Sequence, residues 1–188
     1  MYQVIVEASP HVRRATKHVA IVVAGVAVIA LCAKARVPSW PVPMTLQTLA
    51  TMAIALAVGP RLATATFIAY LATGAAGLPV FAGTPERGIG LGYMVGPTGG
   101  YLLGFVAASW LVGTLAQDRG VAGRIGAMLA GLAAIYAAGL SWLALHVPTD
   151  KVFALGLQPF IFSDLVSVAV VAIASIAVPA RLLGRIGR

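Results

Sequence analysis

The sequence predicts an all-α integral membrane protein: a bundle of six transmembrane helices with both termini in the cytoplasm. Three observations predict it. Hydrophobic residues fill 60% of 188 positions, and mean hydropathy is +0.97. A soluble domain of this size cannot bury that much apolar surface. Six apolar stretches take up almost the whole chain, with Gly/Pro or charged breaks between them. The few charges, 13 basic and 5 acidic, gather at those breaks in an asymmetric way.

The first span covers 17–35, behind Arg13, Arg14 and Lys17. Basic residues before an apolar run ending Ala33-Lys34-Ala35 have the outline of a secretory signal, and Arg13-Arg14 faintly resembles a twin-arginine one. The rest of the chain is membrane-embedded, so the first helix reads as retained. The second span, 44–58, is short and ends at Gly59-Pro60, a helix break. The third runs over 61–76, and a long Gly/Pro segment, 77–97, follows. The remaining spans are 98–117, 121–146 and 160–180. The chain therefore reads as a single membrane domain, 1–188, with a tail 1–16, a bundle 17–180 and a basic tail 181–188.

Charge orients the spans. With the N-terminus inside, Arg13, Arg14, Lys17, Arg61, Arg119, Arg124, Arg181, Arg185 and Arg188 are cytoplasmic, and Lys34, Arg36, Arg87 and Lys151 are outside. That split of nine to four follows the positive-inside rule. Inner connections are tight, whereas the outer ones (36–43, 77–97 and 147–159) are long and rich in Pro and Gly. Ligand sites favour loops held by a rigid scaffold, so the outer face is where one is expected. Gly96, Gly100 and Gly104 recur every four residues, as do Gly123, Ala127 and Gly131, a spacing that lets helices approach closely.

Other classes fall away. The basic residues form no continuous stripe, so no nucleic-acid partner is expected. His11, His18 and His146 lack metal-ligand spacing, and Cys32 is alone. No G-x-x-x-x-G-K-[ST] loop and no catalytic constellation is visible, so neither ATPase, other enzyme nor cofactor is predicted.

Three segments carry the chemistry. Val42-Pro43-Met44-Thr45-Leu46-Gln47-Thr48 follows Pro38, Trp40 and Pro41, which stiffen an extended arm. Thr45 and Gln47 bring polar groups to the outer end of the second helix, for a ligand or for capping and polar packing. Trp40 suits either an interfacial anchor or a cover for a ligand ring. The segments 74–83 and 96–105 are glycine-rich loops leading into helices, and the backbone amides around Thr98, Gly99 and Gly100 can meet a carboxylate. Asp164 stands at the mouth of the last apolar stretch. A carboxylate is costly there unless it works, although the start of a helix also favours an acid.

Together these segments resemble the BioY family, the biotin-specific S-components of energy-coupling-factor (ECF) vitamin transporters. The likeness is specific over 37–105 and looser through Gln158-Pro159-Phe160-Ile161-Phe162-Ser163-Asp164-Leu165. It implies a compact six-helix bundle in the bacterial inner membrane that binds biotin beneath its first and third outer loops, with no enzymatic step. Asp164 matches an aspartate the family is expected to keep. Many members carry a lysine three positions later, where this chain has Ser167. The resemblance also implies a transmembrane coupling subunit and ATPase subunits, or self-association where a member works alone. Ala20 and Ala24 fit the Ala-x-x-x-Ala recognised on the first helix by such a partner.

Biotin would then set the roles. Asp164 accepts the two ureido N–H groups, and Gln47 and Thr45 donate to the ureido oxygen. Trp40, Phe81 and Tyr93 cover the thioether ring. The valerate carboxylate meets Arg87 first, or else the amides of Thr98 to Gly100; Lys34 and Lys151 are further candidate cations. Three rivals stand beside this reading: the same scaffold carrying another small vitamin or biotin precursor, which Ser167 favours; a small membrane enzyme acting on lipid; and a purely structural membrane subunit, which leaves the rigid Pro/Gly outer loops unexplained.

Overall fold

Proline is tolerated in a first helical turn because its missing N–H has no partner there anyway, and its ring presets φ. Pro10 opens the first helix, α1 (Pro10–Lys34), seven residues before the apolar stretch begins. Nothing between His11 and Lys17 breaks a helix, so the basic segment is helical too. The computed structural model describes residues 10–37, 42 and 44–177. The basic tail 181–188 and the first nine residues of the N-terminal tail lie outside them.

After α1, Arg36–Val37 (β1) pairs antiparallel with Met44–Thr45 (β2), Arg36 opposite Thr45. The helices that follow are α2 (Gln47–Val58), α3 (Pro60–Ala75), a short α4 (Gly90–Met94), α5 (Gly99–Leu115) and α6 (Val121–Leu143). A 3-10 turn, Thr149–Lys151, then leads into α7 (Val152–Gly156) and α8 (Gln158–Ile176). The long outer segments are thus partly helical, which a Gly/Pro-rich composition conceals. Gly59 breaks α2 from α3 at φ 79°, a left-handed conformation that only glycine adopts without strain, and Pro60 restarts the helix.

Among the described residues, the regular structure is all helical apart from the two-residue strand pairing. Three segments among the described residues are long and apolar enough to cross a membrane by themselves: His11–Lys34, Val121–Leu143 and Thr149–Ile176. Gln47–Val58 and Gly99–Leu115 are shorter apolar helices. Helix α2, at roughly 1.5 Å per residue, reaches about 18 Å and falls short of a hydrocarbon core of about 30 Å.

Between apolar helices in lipid, close packing replaces the hydrophobic effect as the driving force. Helices α5 and α6 use it most fully. A Cβ on Gly104 would lie 2.7 Å from Ile135 Cα, and one on Gly100 2.2 Å from Trp142 Cβ. Gly131 and Gly139 do the same from α6, against Val112 and the Tyr101 ring. Around this pair lie α3 and α2 against α5, α8 against α2 and α6, and α1 against α3 and α2. An aromatic column, Phe105–Phe67–Tyr70–Phe81–Tyr93, runs through the core with ring centroids 4.9–5.4 Å apart. Arg124, which charge counting places among the inner surface cations, is buried. Its guanidinium donates to the carbonyls of Ser175 and Arg119, so it closes the C-terminus of α8.

Candidate functional site

Asp164 is the seventh residue of α8, because that helix begins at Gln158 with Pro159 in its first turn. This placement bears on the capping alternative. A cap must stand at the helix boundary, and the dipole fades within a turn. Asp164 lies beyond both. Its carboxylate instead accepts a hydrogen bond from Tyr136 Oη of α6 at 2.6 Å and another from the Thr48 hydroxyl of α2. Three helices converge on one buried acid.

Asp164 forms the floor of a small chamber of about 60 Å³. Thr45, Gln47 and Thr48 line one side and Tyr136 and Ile135 another, with Tyr93, Thr98, Tyr101 and Phe105 completing the wall. Among the described residues, Asp164 is the one charged residue in that lining. Two of the carboxylate's roughly four lone-pair positions meet protein donors, which leaves about two for a guest. Gln47 N–H donates to Thr45 Oγ1 at 3.3 Å, so Thr45 also secures the start of α2. The Gln47 Nε2 donates to Tyr70 Oη at 3.3 Å, and Tyr70 in turn donates to the Val80 carbonyl at 3.1 Å.

A second cavity, of about 350 Å³, adjoins the first, and Tyr93 and Thr98 line both. Glu86, Arg87, Gly92, Gly96 and Pro97 complete it. Hydrogen bonds from the bundle and within the segment fasten the 77–97 segment that lines these cavities. Lys34 Nζ donates to Thr84 O and Oγ1 at 2.7 and 2.9 Å, Tyr93 Oη to Ala82 O at 2.7 Å, and Trp142 Nε1 to Gly96 O at 2.9 Å. Tyr101 Oη holds α7 through the Gly156 carbonyl at 2.8 Å.

The remaining sequence candidates fall elsewhere. Phe81 lines neither chamber; it is wholly buried and stacks behind Tyr93 at 4.9 Å. The Gly99 N–H donates to the Gly96 carbonyl at 3.0 Å, and a Cβ on Gly99 would strike the Met94 carbonyl. Gly99 and Gly100 thus have packing roles of their own. Trp40 lies outside the described residues. Ala20 and Ala24 are exposed on α1. Ser167 is buried one turn below Asp164 and donates to the Ser163 carbonyl at 2.9 Å, so it supplies no charge to the chamber. Lys34 is engaged with Thr84, and Lys151 lies exposed in the 3-10 turn.

Sequence reasoning passed over Tyr136, Thr48 and Tyr101. One signal was available for Tyr136: it is the single phenol in α6, a helix whose middle is otherwise apolar, and a buried Tyr hydroxyl needs a partner.

Comparison with known proteins places this architecture. The profile of the BioY family matches residues 6–183. A probable biotin transporter BioY from Pyrococcus horikoshii is 39% identical over 153 residues, covering 81% of this chain and 90% of the relative. The biotin transporter BioY of Thermotoga maritima is 36% identical over 149 residues, 78% of this chain and 86% of its own. Among solved structures, the S-component for biotin from an ECF-type ABC transporter superposes with a TM-score of 0.74 at 22% identity, covering 89% of this chain and 92% of that one. That likeness shows a shared fold. On the profile match and these identities, the chain belongs to the BioY family.

Proposed function

We propose that this protein captures biotin from outside the cell and takes part in its uptake as the substrate-binding component of an ECF-type transporter. The observation that carries the reading is the pairing of a narrow chamber floored by Asp164 with a wider one beside Arg87. At about 30 Å³ per water, the inner chamber of about 60 Å³ has room for only about two waters, so it suits a small polar head group rather than a whole vitamin. Biotin offers two N–H donors at its ureido ring, and a carboxylate with two free acceptor positions suits them. Its valerate tail then points to the outer cavity, where Arg87 provides a cation for the terminal carboxylate. No covalent step is involved. Relatives named as biotin transporters support the assignment.

In this reading the chain crosses the cell membrane six times with both termini in the cytoplasm. The nine-to-four charge split supports that orientation. So does the alternation of six helices of twelve or more residues. The chamber then lies near the outer face, because it sits by the C-terminal end of α1 and the N-terminal ends of α2, α5 and α8. Energy coupling comes from a transmembrane subunit and ATPase subunits docked on α1, whose exposed Ala20 and Ala24 suit close helix contact. Ser167 favours one second reading, a related small vitamin or precursor on the same scaffold.

Titrating the purified protein with biotin and with dethiobiotin tests the assignment. Saturable biotin binding below micromolar concentration, with dethiobiotin weaker, is expected. Absence of such binding rejects biotin as the substrate, and tighter dethiobiotin binding selects the second reading.

A further inference from the structure

At the end of the bundle opposite Asp164, a cavity of about 640 Å³ opens between α1, the α2–α3 corner and α5. Its walls follow from close helix contacts on either side. Gly25 lets α1 meet Thr66 of α3, where a Cβ would lie 2.5 Å from Thr66 Cγ2. Gly113 lets α5 meet the Gly59-Pro60 corner, where a Cβ would lie 2.6 Å from Pro60. Below these contacts the helix ends carry basic side chains. Arg14 and, one turn on, His18 lie on one face of α1, and Arg61 comes from the first turn of α3. Among the described residues the lining contains no carboxylate. The His18 Nε2 is closed off from solvent and has no hydrogen-bond partner among the described residues, a state that buried polar atoms rarely keep.

Trp110 and Thr114 of α5 form the outer edge of the same cavity. Trp110 is about half exposed at 49%, and exposed Leu115 lies beyond it, so the edge faces the surroundings of the bundle rather than its core. An indole near a helix end, next to clustered cations, belongs at the level of lipid headgroups.

We propose that this cavity binds the phosphate of an anionic phospholipid headgroup from the leaflet on that side. Arg14 and Arg61 donate charge-assisted hydrogen bonds to its oxygens. Trp110 packs where headgroup meets acyl chain. Free phosphate shares the chemistry of the headgroup but has nothing to place against the indole. The inference requires only that the chain reside in a membrane and stands apart from the biotin reading.

The test is thermal unfolding of the purified full chain in neutral detergent. Short-chain phosphatidylglycerol, phosphatidylcholine and inorganic phosphate are titrated separately. Phosphatidylglycerol is expected to raise Tm saturably, while the other two do not. The double variant Arg14→Gln/Arg61→Gln is expected to need about tenfold more phosphatidylglycerol, or more still, for half-saturation. Phosphatidylglycerol with brominated acyl chains should quench indole fluorescence in wild type and do so less in Trp110→Phe. Equal stabilisation by phosphatidylcholine, saturation by inorganic phosphate alone, or an undiminished response in the double variant overturns the proposal. If the double variant does not fold, Arg61→Gln and the Trp110 quenching comparison decide by the same criteria.

Discussion

Replacing Asp164 with Asn keeps the volume of the side chain and removes its charge. Asp164 Oδ2 accepts from Tyr136 at 2.6 Å, and Thr48 also donates to the carboxylate. An ionised carboxylate still has about two acceptor positions for ureido N–H groups, whereas Asn has one acceptor oxygen and an NH2 with two donors. If the Asn oxygen stays with Tyr136, the NH2 confronts a ligand N–H, donor against donor. A hydrogen bond to a charged group contributes about 1.5–3 kcal/mol. Part of that is offset because a neutral amide is easier to bury than an anion. A net loss of about 1–3 kcal/mol follows, from about fivefold to somewhat over a hundredfold in Kd. Equilibrium dialysis with radiolabelled biotin measures it, with the unfolding temperature of the empty variant as a control for folding. Tyr136→Phe removes only the donor that orients the acid, and should cost about 1 kcal/mol of binding. A folded Asp164→Asn protein with wild-type biotin affinity would refute the reasoning, whatever Tyr136→Phe does.

Other consequences are independent of that one. Arg87→Ala should weaken biotin more than its methyl ester in a competition assay, since only the acid needs the cation; equal losses would move the carboxylate site elsewhere. Gly104→Val should lower Tm, because its Cβ would lie 2.7 Å from Ile135 Cα and overpacking costs about 1–3 kcal/mol. Unchanged Tm would mean that α5 and α6 are less closely packed than described. Reporter fusions at the two ends should both report the cytoplasm, and opposite signals would exclude an even number of passes.

The sequence carried those features that depend on neighbouring residues. Gly59-Pro60 separates two helices because one residue tolerates positive φ and the next restarts a helix, both local properties. The Gly100 and Gly104 spacing marks a helix face that packs closely, and α6 occupies it. Asp164 was visible because charge is rare in an apolar stretch, and Thr45, Gln47, Tyr93 and Thr98 lie around the same chamber. What depends on three-dimensional convergence was hidden. Tyr136 and Thr48 are 28 and 116 residues from Asp164 in the chain, and no local pattern pairs them. Phe81 is aromatic and close to the site in sequence, yet its ring backs Tyr93 rather than facing the chamber. Arg124 has the composition of a surface charge and the position of a helix cap, because α6 passes beneath the end of α8. The basic segment before the first apolar stretch is helical for want of any breaker, so the edge of hydrophobicity was not the edge of the helix.

A ligand-bound structure tests the central claim most directly. Crystals grown with biotin should show the ureido ring in the Asp164 chamber, both of its N–H groups within about 3 Å of the carboxylate oxygens, and the tail running past Tyr93 toward Arg87. A vitamin bound at the opposite end of the bundle, or one whose ureido group lies away from Asp164, would contradict the account.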